Sequence, residues 1–60
     1  MSKLYQDALR LTVQENLQNI RTLLEWAQDS SDLQSVISHT EQAHRLLGDV
    51  VSDLRALAKK

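Results

Sequence analysis

Apolar residues recur along this chain in steps of three and four. In the second half, Leu33, Val36, Thr40, Ala43, Leu47, Val50, Leu54 and Leu57 alternate between those steps over more than three heptads. That period belongs to one face of an α-helix and is incompatible with the two-residue alternation of a strand. Ile37, His44, Val51 and Ala58 follow one position on. They widen the arc to about 160°, more than a single neighbouring helix covers. The first half carries a matching stripe of Leu9, Val13, Asn16, Ile20, Leu23 and Ala27, with Leu17 and Leu24 beside it and Gln6 extending it.

The periodicity lapses at Asp29-Ser30-Ser31-Asp32. Short side-chain acceptors cluster there, as at helix starts. Ser31 followed by Gln34 fits a capping box, with Asp32 in the first turn where the helix dipole favours an anion. The pattern predicts one all-α domain over residues 1–60: helix about 3–28, turn about 29–32, helix about 33–58. A turn this short makes the helices antiparallel neighbours. Residue numbers adding to about 61 then share a level, so Leu24 meets Ile37 and Leu17 falls near His44. Gly48 is the one local conflict. The heptad passes through it without a phase slip, so a continuous helix is expected at about 1 kcal/mol of propensity penalty.

Two helices alone leave about half of each wide arc in water, so the expected architecture is an antiparallel two-helix hairpin dimerising into a four-helix bundle. Its oligomer core takes Leu9, Val13, Leu17, Ile20 and Leu24 from the first helix. The second contributes Val36, Ile37, Leu47, Val50, Val51 and Leu54. Composition supports this. A chain of 60 residues has a small core, which rarely supplies more than about 3–5 kcal/mol without a staple. There is no Cys, hence no disulfide, and oligomerisation is the remaining device. The absence of Pro, with one Gly only, fits long uninterrupted helices. Charged residues make up 25% with a net charge of −1, which is not the basic field of a general nucleic-acid binder. No apolar run has the length of a membrane span, and the first residues lack the apolar core of a secretory signal. A cytoplasmic location is the expectation.

Candidate chemistry is sparse. Asn16 and His44 are polar intrusions near the stripe and read as a hydrogen-bonded pair that fixes register. His39 and His44, five apart, point in different directions and cannot chelate one metal as an i, i+4 pair would. Glu41 and His44 supply only half of a di-metal motif. Glu41, Arg45, Asp49 and Asp53, at i+4 steps, read as a solvated face. No nucleophile–base constellation, phosphate-binding glycine loop or zinc pattern occurs. Neither enzymatic activity nor any cofactor or metal is therefore expected.

Two surfaces remain. Leu4, Ala8 and Leu11, bordered by Tyr5 and with Trp26 on roughly the same side, form an apolar patch away from the main stripe. They are the candidate contact for a helical protein partner. The expected function is thus a small interaction module: an adaptor, regulator or chaperone-like hairpin, as among small secretion-system chaperones. Lys3, Arg10, Gln14, Gln18 and Arg21 form a polar face on the first helix, interrupted by Asp7 and Glu25. The length, the helix–turn–helix plan and Thr22-Leu23-Leu24-Glu25 before the turn resemble the plasmid copy-number regulator Rop family. That resemblance implies a homodimeric four-helix bundle binding paired RNA loops through the first-helix faces, and makes this polar face the alternative site. No Phe is present to match that family's aromatic contact. Ser30-Ser31-Asp32-Leu33-Gln34 partly resembles the motif of the short sporulation-inhibitor hairpins but lacks the acid that follows Leu in them. A membrane-surface role fits poorly, because the polar face of the second helix is mostly acidic before Lys59 and Lys60.

Overall fold

The structure is a computed structural model and describes residues 3–59. Two helices, α1 (Lys3–Asp29) and α2 (Leu33–Ala58), pack against each other as a hairpin, with no strand among the described residues. The molecule is a rod whose Cα atoms span 46 × 14 × 11 Å. Neither helix is long and apolar enough to cross a membrane.

Residues 30–32 make the turn. The Ser30 amide donates to the Ala27 carbonyl and its hydroxyl to the Trp26 carbonyl at 2.8 Å. These bonds satisfy carbonyls that the end of α1 leaves without helical partners. The N-cap of α2 is Asp32, not Ser31. Its backbone is extended, and its carboxylate accepts from both the amide and the hydroxyl of Ser35 at 3.2 Å. A charged acceptor at this end also opposes the positive pole of α2. At the other end the Lys59 amide donates to the Arg55 carbonyl. Gly48 neither breaks nor splits α2, which runs through it without positive φ. Thr12 and Thr22 return their hydroxyls to the carbonyls four residues earlier, the usual way for a helix interior to accommodate threonine.

The buried core is thin. Val13, Ile20 and Leu23 of α1 meet Ala43 and Val50 of α2, and Leu46 and Leu57 pack partly against them; Ala27 is buried separately near the turn. Leu9 and Val36 are half-buried at its margins. On α2 the line facing α1 is therefore Val36, His39, Ala43, Leu46, Val50, Asp53 and Leu57. It is also spaced by threes and fours, but lies to one side of the most apolar stripe. Leu33, Thr40, Leu47 and Leu54 are left exposed.

Candidate functional site

The residues left exposed have an order. On each helix, those one step C-terminal to the seam lie on the same side of an antiparallel pair, because the two chains run in opposite directions with one handedness. That side carries Leu17 and Leu24 from α1. From α2 it carries Ile37, Thr40, His44, Leu47, Val51 and Leu54. The six aliphatic members are each between 41% and 50% exposed. Leu33 continues the strip at the turn end. One observation places both helices' contributions on one side: Arg10 and Gln14 share a groove with Leu54 and Ala58 across the seam. A second groove runs along α2 alone, where Glu41 and Arg45 join Ile37, Thr40, His44 and Gly48 in its lining. The opposite side is polar, with Thr12, Glu15 and Asn19 of α1 beside Ser35, Gln42 and Asp49 of α2, all on the surface or at its margin.

The expected oligomer-core residues thus divide. Val13, Ile20 and Val50 are spent on the hairpin's own seam, with Leu9 and Val36 at its edge. Leu17, Leu24, Ile37, Leu47, Val51 and Leu54 form the open face. Leu46 belongs to the seam although it lies outside the stripe legible in the sequence. Its heptad contains His39 and Asp53, and two polar members hide the periodicity.

Asn16 and His44 make no hydrogen bond with each other. Asn16 sits at the seam margin and His44 is exposed. The histidine enclosed near the seam is His39. Its ring lies 5.6 Å from that of Trp26, centroid to centroid, with planes inclined at 59°. Its Nδ1 is buried without a hydrogen-bond partner. Trp26 thereby caps the polar side of the hairpin near the turn. It is about 22 Å along α1 from Leu11, at 1.5 Å per residue. Leu4, Ala8 and Leu11 do share a line on α1 pointing away from α2, with Leu4 the most exposed large apolar residue among those described. Trp26 is not part of that patch. Tyr5 stands on the flank of the patch.

Of the polar set, Lys3, Arg10, Gln14 and Arg21 border the open apolar face, whereas Gln18 turns further outward towards Leu11. Arg21 lies 4.0 Å from Glu25, with both side chains largely in water. Such an exposed pair contributes little. Among the described residues no group of three or more His, Asp or Glu is placed to hold a metal ion. The chain matches no family model, no curated protein and no solved structure.

Proposed function

We propose that this chain is a small non-enzymatic interaction module of the cytoplasm, an adaptor or regulator that acts through apolar helix faces. Its working unit is a homodimeric four-helix bundle. One observation carries this reading: the hairpin exposes too much surface for its mass. Its accessible area is 4931 Å² at 6.8 kDa. A compact monomer of that mass exposes about 3,950 Å² by the usual scaling. The excess of roughly 1,000 Å² is comparable to the about 800 Å² per partner that a stable interface removes from water. The exposed surface includes one continuous apolar face rather than scattered residues, which supports association as its role.

Sedimentation equilibrium of the purified chain tests the proposal. The expected result is a dimer, with a melting temperature that rises with protein concentration, because association and folding are linked. A monomer that unfolds cooperatively at a concentration-independent temperature overturns it. The patch of Leu4, Ala8 and Leu11 lies outside the dimer face and is assigned to a helical protein partner. A Leu4→Glu/Leu11→Glu double variant should therefore remain dimeric.

RNA binding in the manner of a Rop-like bundle is the second reading. It is favoured by the clustering of Lys3, Arg10, Gln14 and Arg21 on one side of α1. It requires an RNA complex whose affinity falls steeply with added salt, since phosphate contacts release counterions. An absent or salt-insensitive shift removes it.

A further inference from the structure

The charges of this chain are sorted across its width. On α1, Lys3, Arg10 and Arg21 stand at the edge of the open face, beside Leu17 and Leu24. On α2, Arg45 lines the groove that also holds Ile37 and His44. Arg55 lies about five helical turns beyond Ile37 and so shares its bearing, with Lys59 one turn further on. Every cation among the described residues is therefore exposed on the rim of the open face. Glu41 is the carboxylate that joins them there. Asp7 and Glu25 lie one row further out on α1, where Glu25 stands 4.0 Å from Arg21. Glu15 and Asp49 are on the opposite, polar side, and Asp29 and Asp32 flank the turn. Between the two cationic edges the strip through Leu47, Val51 and Leu54 carries no formal charge.

This pattern discriminates among occupants. A second copy presents the same rim, so any two-fold pairing sets a surplus of cations against itself and offsets part of the apolar gain. A nucleic acid would bring phosphates to the rim but would leave the aliphatic strip unmatched. A bilayer surface is broad, whereas this face is grooved along α2 and across the seam. Trp26, the side chain best suited to a lipid headgroup region, is on the polar side of the hairpin. An amphipathic helix with carboxylates on both flanks satisfies strip and rim together.

We infer that the open face receives an amphipathic helix of a different protein, apolar along one stripe and acidic along both flanks, which replaces the second copy there. The inference rests on the open face being the association surface, as proposed above. The homodimer then holds the face until the acidic helix arrives. Gly48 has no side chain to raise the wall of the groove, and a Cβ built there meets nothing within 4 Å, so a partner backbone can approach closely at that point.

Two synthetic helices of about 25 residues, matched to the length of α2, serve as probes. Both carry Leu and Ile at heptad positions a and d; one has Glu at e and g, the other Lys. Each is labelled and titrated with the full chain, with binding read by fluorescence anisotropy. The Glu-flanked peptide should bind at least about ten-fold more tightly at low salt, and added salt should shrink this advantage by screening the rim. Self-association of the chain should respond in the opposite sense and strengthen with salt. An Arg10→Gln/Arg55→Gln chain, altered only at exposed positions, should keep native helical dichroism and lose most of the preference. Equal affinity for the two peptides overturns the inference, as does a preference that the double variant retains. Tighter binding to vesicles of anionic phospholipid than to the Glu-flanked peptide also overturns it and assigns the face to a membrane. A monomer in sedimentation without peptide overturns the dimer reading, whereas the peptide comparison decides this inference by itself.

Discussion

At the scale of single residues, the feature that stands out is His39. Its ring is held against Trp26 and its Nδ1 is buried without a partner. An unsatisfied buried polar atom costs about 1–3 kcal/mol, whereas an apolar group of similar size there costs none of that. His39→Leu should therefore stabilise the fold by roughly 1 kcal/mol in denaturant unfolding at fixed protein concentration, with Trp26 fluorescence as the probe. A loss of stability would mean that the imidazole's contact with the indole outweighs its missing hydrogen bond. Neither the pairing nor the burial was legible in the sequence, where His44 looked like the inward histidine. The two lie five residues apart, and which one meets α1 depends on the rotation of α2 about its axis. The cap shows the same limit. Ser31 and Asp32 are both good N-cap residues, and only the path of the turn selects Asp32, through its bonds to Ser35.

At the scale of the helices, periodicity revealed almost everything except phase. The heptad defines both helices, and the run of Asp and Ser between them marks the turn. An apolar arc as wide as that of α2 has two usable edges, however. The seam takes the edge containing Ala43, Leu46 and Val50, and leaves Leu33, Leu47 and Leu54 outside. Small side chains at the contact let the helices approach closely, which favours the edge that carries Ala43. The bulkier edge remains for another surface. Gly48 belongs to this scale too. It is exposed, helical, and has open space where a Cβ would stand. Gly48→Ala should thus stabilise α2 by about 0.5–1 kcal/mol through reduced backbone entropy of the unfolded chain. Slower amide exchange in the C-terminal half of α2 would show it. An unchanged or faster exchange there would mean that the added methyl group obstructs a neighbour that the hairpin alone does not contain.

At the scale of the whole molecule, a thin seam and a broad open face are two consequences of one composition. Among the described residues six buried apolar side chains hold the hairpin, while as many large aliphatic ones lie half-exposed on its apolar side. The face should therefore behave as core in the assembly although it is surface in the single chain, and Val51 and Leu11 separate those possibilities. Both are apolar and at least 41% exposed here, so a local view predicts little effect from a charge at either. In the proposed dimer Val51 lies in the face that the second copy covers, and symmetry introduces every substitution twice. An unpaired carboxylate enclosed there costs several kcal/mol, so Val51→Glu should raise the dimer dissociation constant by at least about 100-fold. Folding should weaken with it, seen as lost helical dichroism at micromolar protein, because a lone hairpin with this seam has little stability of its own. Leu11→Glu, on the outer line of α1, should change neither dissociation nor dichroism. Equal behaviour of the two variants in sedimentation would place the association surface elsewhere on the rod. Selective loss at Val51 would tie the folding of this chain to the meeting of two copies.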